Sequence, residues 1–328
     1  MPETRHVDRV VRASQSPAAV TRLAASWRRS MVKHGLDPAR PEQLRRMTEQ
    51  ETALRIERMG DFLAVARPQI DQLFQLVCAT GCNVLLTDAD GIVLEQRVNE
   101  ADAPVFRDWG LWQGVDWSEP AEGTNGIGTC LAEGRQVTIH RDEHFYARNT
   151  ALSCIDAPIW GPDGRLLGAL DVSSARADHT ERWNGLIAAQ VTQSARQIEA
   201  AFFRASFPGA RIISAQIPGQ APGAEDALLL VAVDRDDIAI GANRAARRAY
   251  GLEKEGALRP RPASDLLGRE DSATGFEKAE RAAVIRALTR AEGNVSAAAR
   301  ALGIGRATLY RRMQRLGIDG NPGRLSQT

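Results

Sequence analysis

Residues 276–318 read FEKAERAAVIRALTRAEGNVSAAARALGIGRATLYRRMQRLGI and hold three helical segments in close succession. Over 276–291, Ala279, Ala283, Ile285, Ala287 and Leu288 recur among charges at the spacing of a half-buried helix. Gly293 suits the left-handed position after a helix, and Asn294 suits the cap of the next one. The second segment, 295–302, is short and rich in alanine, so it can approach its neighbours closely, and Gly303 supplies a tight turn. The third, 306–316, is expected to bury Leu309, Met313 and Leu316 and to expose Arg306, Thr308, Tyr310, Arg311, Arg312 and Arg315. Two short helices joined by a glycine turn, the second rich in arginine, predict a helix-turn-helix with its reading helix last. A basic solvated face on a small bundle would explain the arginines equally well. It would not explain cap, turn and basic helix in this order. Double-stranded DNA is therefore the expected partner, with Asn294 and Ser296 added to the six exposed residues as candidate contacts.

Charge supports that division of labour. The net charge of the 328 residues is +1, yet residues 276–328 carry ten Lys/Arg against four Asp/Glu, and residues 1–60 carry twelve against seven. Residues 61–275 are acidic, twenty against thirty. Affinity for phosphate comes from a local basic patch rather than from the whole-chain sum. No apolar run approaches the roughly 18 residues needed to span a bilayer. The N-terminus has no apolar signal-like core, and four cysteines lack a short-spaced framework, so a cytoplasmic protein with reduced thiols is expected.

Residues 1–60 read as a helical region, with Gly35 and then Pro38 ending the helix around Trp27. Its basic character suits packing on the following domain better than contact with a membrane. Over 62–77, Leu63, Ile70, Leu73, Leu76 and Val77 predict an amphipathic helix that Pro68 kinks or divides. Residues 83–94 place two apolar strands around an Asp-Ala-Asp-Gly turn, and 157–172 repeat the pattern around Gly-Pro-Asp-Gly. A strand over 136–140 and a Gly-rich segment, 122–129, lie between the two hairpins. A long helix follows a capping-box pair, Asp178 and Glu181, with Trp183, Ile187, Val191, Ala195, Ile198 and Phe202 on one stripe. The fold class is α+β multidomain: an antiparallel sheet flanked by helices, then an all-α C-terminal module.

Several segments together resemble a GAF domain of the acetoin-catabolism-regulator type. They are Ser26-Trp27 with Arg29-Ser30, Leu86-Thr87-Asp88 with Gly91, the GTNGIGT stretch 123–129, Glu143-His144-Phe145, and Ala157-Pro158-Ile159 through Gly168 to Asp171-Val172. The likeness covers roughly residues 20–205. It implies a sensor of a small molecule or an oxidant, with a pocket between the sheet and the loops that carry these motifs. Thr124, Asn125, Thr129, Cys130, His144, Phe145, Cys154 and Asp156 are the candidate pocket residues. The C-terminal stretch is similar to the Fis-type helix-turn-helix of many bacterial regulators, which implicates Arg306, Thr308 and Arg311 at the head of the reading helix. Gly305 stands where that family often has a serine cap, a change that costs only a few tenths of a kcal/mol.

Other chemistries fit less well. The 123–128 loop has the wrong spacing for a dinucleotide cradle and follows Ser118-Glu119-Pro120 rather than a strand. The chain has three lysines, Lys33, Lys254 and Lys278, and none follows a glycine, so there is no P-loop. Acetoin-type regulators usually carry an ATPase domain that remodels sigma-54 polymerase, and no such domain fits between residues 203 and 276. His140-Arg141-Asp142-Glu143-His144 matches an inverted zinc-protease motif, but the strand entering His140 spoils the helical register that metal binding would need. Cys78, Cys82, Cys130 and Cys154 read as buried apolar groups, with a GAF-fold thiol-dependent redox enzyme as the rival reading. No metal and no cofactor is expected.

Residues 207–223 hold three prolines and three glycines and are expected to be an exposed linker. Residues 227–251 resemble part of a PAS domain: a strand, an Asp-Arg-Asp-Asp turn, a second strand and a helix after Asn243. The expected divisions are 1–60 helical, 61–205 sensor, 206–224 linker, 225–270 PAS-like segment and tether, 271–318 helix-turn-helix, and 319–328 tail. The expected function is a ligand- or redox-responsive, non-enzymatic regulator of transcription that binds DNA as a homodimer. Its further partners would be RNA polymerase or a sigma-54 activator, for which an accessory role is the alternative.

Overall fold

Thr21 and Thr48 start two of the N-terminal helices in a computed structural model that describes residues 2–15, 21–174, 181–215, 228–235, 237–263, 266, 275–291 and 293–318. The helices of this end are α1 (Pro2–Gln15), α2 (Arg22–Arg28), α3 (Glu49–Arg58) and α4 (Gly60–Val77). Thr21 accepts from the Ala24 amide, and Thr48 forms a reciprocal capping box with Glu51. α2 passes into a π-turn, Arg29–Lys33, and Gly35 follows with φ 68°. Residues 36–47, expected to be helical, contain no helix. Pro38 and Pro41 remove two amide donors there. Pro68 lies inside α4 without ending it. Leu76, assigned to the apolar stripe of that helix, is 59% exposed, and Phe74 packs against the core instead.

The first sheet has the strand order β2-β1-β5-β4-β3 and is antiparallel throughout. Its strands are β1 (Cys82–Thr87), β2 (Val93–Arg97), β3 (Val137–His140), β4 (Ser153–Trp160) and β5 (Leu166–Ser174). Both expected hairpins form, and β3 takes the edge beside β4. Strand alternation divides the residues between two faces. Val84, Leu86, Ile155, Ala157, Ile159, Leu170 and Val172 pack with α4 and the long helix over Asn184–Ser206. Leu85, Cys154 and their neighbours lie on the other face, among the loops and short helices α5 (Ala103–Asp108), α6 (Glu119–Glu122) and α7 (Gly126–Glu133).

The long helix, α8 (Asn184–Ser206), follows a 3₁₀ turn at Glu181–Trp183. Ile187, Val191, Ala195 and Ile198 are buried as the stripe predicts, but Trp183 precedes the helix and is 54% exposed. Asp178 lies outside the described residues. The C-terminal end of α8 reaches a second antiparallel sheet, order β6-β7-β8-β9, where Phe203 packs with Leu230 and Ala232. β7 (Leu229–Val233), β8 (Ile238–Ala242) and α9 (Arg244–Ala249) take the places expected of the PAS-like segment. Asn243 caps α9 by accepting from the Ala246 amide at 3.0 Å. β6 (Arg211–Ala215) corrects the linker expectation: it pairs with β7 from Arg211↔Val233 to Ala215↔Leu229. Its Ile212-Ile213 pair carries the β-branched signal that the surrounding prolines and glycines obscured. In the tether, Arg261–Pro262 forms β9 on β8. Residues 216–227 and 319–328 lie outside the described residues.

Residues 1–266 form one unit and residues 267–328 a second. The second contains α10 (Gly275–Arg290), α11 (Val295–Ala301) and α12 (Arg306–Arg315). Its core is Val284, Ala287, Leu288, Ala298, Ala299, Leu309, Met313 and Ile318. Val284 replaces Ala279 in the expected stripe of α10, since Ala279 faces solvent. Gly303, at φ 66°, makes the turn between α11 and α12 in a backbone region that side chains rarely adopt.

Candidate functional sites

Above the inner sheet face, the GTNGIGT stretch folds into a tight turn and the first turn of α7. Asn125 is the cap of that helix. Its Oδ1 accepts from the Gly128 amide at 2.9 Å, and its Nδ2 donates to the Trp117 and Gly123 carbonyls. The amide of Asn125 is thus committed to holding the loop. Thr124 and Thr129 face a different network, in which the Ser26 hydroxyl lies 2.8 Å from Thr124 Oγ1 and 3.4 Å from Thr129 Oγ1. Ser26 also donates to Glu119 Oε1 at 2.8 Å, and Arg29 donates to both oxygens of that carboxylate at 2.5 and 2.6 Å. Donating to Glu119 raises the Arg29 pKa above its ordinary value. Phe145 packs with Val10, Trp27, Leu36 and Tyr146, so α1 and α2 cover it. His6 Nε2 lies 3.3 Å from the Phe145 carbonyl, and Trp27 Nε1 donates to the Glu143 carbonyl at 2.9 Å. Contacts of this kind tie α1 and α2 to the loops of the sheet.

Cys130, His144, Cys154 and Asp156 lie deeper, and each is at most 3% exposed. The Nδ1–H of His144 donates to the Arg141 carbonyl at 2.9 Å, which leaves Nε2 as the acceptor 3.4 Å from Cys154 Sγ. Burial lowers His144 to about 4 and raises both Cys130 and Cys154 well above the ordinary thiol value. The thiol of Cys154 therefore donates to a neutral imidazole, and Ser173 Oγ lies 3.2 Å from its sulfur. A protonated, buried thiol is the opposite of a reactive one. His140 Nδ1 instead lies 3.0 Å from Ser153 Oγ, so the two histidines of the His-x-x-Glu-His pattern face different partners. Among the described residues, no group of three or more His, Cys, Asp or Glu is placed to hold a metal.

Two residues absent from the sequence-based set complete this face. Asp171 pairs with Asp156 directly across β4 and β5, and Asn83 pairs with Ser173 across β1 and β5. Burial, then each other's charge, pushes the Asp156 carboxyl well up, and burial likewise raises Asp171. Gly126 admits Asp156 to the start of α7: a Cβ there would lie 2.0 Å from Asp156 Oδ2. Polar residues at buried alternating positions, in Cys154-Ile155-Asp156 and Asp171-Val172-Ser173, were the available signal.

In the C-terminal unit, Asn294 caps α11 by accepting from the Ser296 and Ala297 amides at 3.1 Å. Its side chain, like that of Asn125, has a structural task, and the amide of Ser296 is one of its donors. Arg306 and Arg311 are exposed on α12, Thr308 is half-buried, and Tyr310 is 45% exposed. The Arg306 guanidinium stands 5.6 Å from the Tyr310 ring centroid. Arg312 and Arg315 differ from these, since both pair with Glu280 of α10. They brace the reading helix against the first helix of the unit.

Residues 61–202 match the GAF domain family and residues 275–316 match the family described as bacterial regulatory protein, Fis family. The acetoin catabolism regulatory protein of Cupriavidus necator is 31% identical over 277 residues, which is 81% of this chain and 41% of that protein. The acetoin dehydrogenase operon transcriptional activator AcoR of Bacillus subtilis is 28% identical over 55% of this chain and 29% of its own length. A chain in the crystal structure of the E. coli DhaR(N)–DhaL complex aligns with a TM-score of 0.50 at 14% identity, covering 74% of this chain and 80% of that one. At that identity the likeness is one of fold. The chain thus combines a GAF domain with a Fis-type helix-turn-helix, and its curated relatives regulate transcription. It spans less than half the length of those relatives. No helix among the described residues is long and apolar enough to cross a membrane.

Proposed function

We propose that the chain is a ligand-responsive transcriptional regulator that binds double-stranded DNA through α11 and α12 and senses a small molecule at the GAF sheet face. One observation carries the reading: the helix-turn-helix keeps Arg306 and Arg311 exposed at the head of α12, where folding does not require them, while Arg312 and Arg315 are held by Glu280. Arg306, Thr308, Tyr310 and Arg311 then reach base edges or phosphate, and Ser296 with the α11 N-terminus meets the backbone. The protein acts as a cytoplasmic homodimer without enzymatic activity and without nucleotide hydrolysis of its own. The protonated state of Cys154 favours a binding role over thiol catalysis. RNA polymerase or a longer sigma-54 activator is its partner in transcription.

Signal passes from the pocket through β4. Asp156 faces the pocket, its neighbours Ile155 and Ala157 pack with α8, and the Trp160 amide donates to Glu199 of α8 at 2.8 Å. The divisions follow the same logic, with residues 1–60 closing the sensor, 61–205 forming it, 225–270 relaying and 271–318 reading DNA. Coupling of ordinary size, about 1–3 kcal/mol, would change operator affinity by roughly 5- to 150-fold. The test is selection of duplexes from a random pool by the intact protein, followed by binding of Arg306→Ala to the selected sequence. Loss of base preference supports the assignment, and equal binding by the variant removes it.

A further inference from the structure

Two rows of side chains cross the inner face of the sheet. One is Asn83, Ser173, Cys154 and Ile139; the other is Leu85, Asp171, Asp156 and Val137. Asp156 and Asp171 are both fully buried, and among the described residues no group other than the two carboxyls themselves answers either oxygen of Asp156 or Oδ2 of Asp171. Ser173 Oγ donates to Asp171 Oδ1 at 3.0 Å. Asn83, 1% exposed on the adjoining row, has neither its Oδ1 nor its Nδ2 partnered.

Other buried carboxylates of this domain are neutralised differently. Glu119 has Arg29, Glu122 has Arg148 at 2.6 Å, and Asp88 has Arg55 at 2.5 Å. Among the described residues the Asp156–Asp171 pair has no such cation: the charge acting on Asp156 is that of Asp171. Burying like charges side by side is costly unless a proton is shared or a positive group is supplied. An anionic ligand would be repelled here. A neutral acceptor, such as a ketone, would leave the carboxylates unanswered.

We propose that this pair is the recognition point for a small protonated amine, an inference that rests on the sheet face being the sensor pocket. The three N–H donors of an ammonium group match the free oxygens of Asp156, Asp171 and Asn83, and its charge replaces the shared proton. The surrounding Leu85, Ile127, Cys130, Val137 and Ala169 suit a short aliphatic body.

Calorimetric titration of the intact protein with ethylamine, propylamine and putrescine tests this, with ethanol, propanol and 1,4-butanediol as uncharged controls at the same pH and ionic strength. Amines should bind at least about tenfold more tightly than their alcohols, and Asp156→Asn and Asp171→Asn should each lose about tenfold or more, the effect of one charge-assisted hydrogen bond. Alcohols binding as well as amines, amine binding unchanged in Asp156→Asn, or no binding by any of the six would overturn the proposal. If the variants do not fold, the amine-to-alcohol ratio of the wild type decides. DNA binding measured on the same samples separates the two readings. Failure of the amines with sequence-specific DNA binding intact removes only the ammonium assignment. Failure of DNA binding removes the regulator itself.

Discussion

Replacing Arg29 with alanine should destabilise the sensor by about 3–5 kcal/mol, the usual effect of stranding a buried charge. Glu119 is 2% exposed, and the Arg29 guanidinium closes on it with two hydrogen bonds of 2.5 and 2.6 Å. Without the arginine, the carboxylate keeps the hydroxyls of Ser26 at 2.8 Å and Thr129 at 3.3 Å, with His34, whose pKa burial lowers, at 3.7 Å. Neutral donors of that kind contribute about 0.5–1.5 kcal/mol each, too little to offset an ionised group out of water. Because the Arg29 side chain is 24% exposed, some water can enter the gap, which places the expected loss at the lower end, about 3 kcal/mol. Removing both charges in Arg29→Met with Glu119→Leu should recover most of the loss, since an apolar pair of similar volume avoids desolvation. Urea unfolding followed by tryptophan fluorescence, to which buried Trp27 and Trp117 contribute, measures all three proteins. A loss below about 1 kcal/mol for Arg29→Ala, as for an exposed pair, would refute the reasoning. So would a double variant no more stable than the single one.

Burial raises Glu199 from its ordinary 4.5 to about 7. The folded state therefore holds a proton that the unfolded state releases, and the associated stability is present below about pH 4.5 and lost as pH rises through about 7. Glu199→Gln should flatten that part of the pH–stability curve by on the order of 3 kcal/mol, and parallel curves would contradict it. In the C-terminal unit, Glu280→Gln should release Arg312 and Arg315 toward phosphate. The slope of log affinity against log salt should then steepen by up to about two. An unchanged slope would mean that the two arginines already touch DNA. The same pairing predicts that Arg315→Ala weakens the packing of α12 on α10, with lower thermal stability in the absence of DNA; unaltered melting would speak against it.

The sequence was most legible where periodicity, caps and turns agree. Asn294, Gly303 and the alternation of Leu309 and Met313 specify three helices and their order before any tertiary contact is known. The two hairpins of the GAF sheet were equally plain, because Asp-Gly turns sit between apolar strands. What escaped were properties set by distant partners. The pairing of Arg312 and Arg315 with Glu280, two helices earlier in the chain, is invisible to the local pattern that marks both arginines only as exposed. The amide of Asn125 also holds the Trp117 and Gly123 carbonyls, a task that its place in the Gly-rich stretch does not announce. Alternation marks Asp171 as an inward-facing polar residue, but that it lies opposite Asp156, and Asn83 opposite Ser173, follows only from strand register. β6 escaped because Ile212-Ile213 is a short apolar signal inside a stretch of prolines and glycines.

Sequence-selective DNA binding by the intact chain decides whether this protein is a regulator. Fluorescence anisotropy with a duplex enriched from a random pool should give saturable, salt-dependent binding to half-sites about one helical turn apart. Arg306→Ala should lose about 1–3 kcal/mol of preference at one base position of each half-site. An unenriched pool, or equal affinity of wild type and Arg306→Ala for the selected duplex, would contradict it.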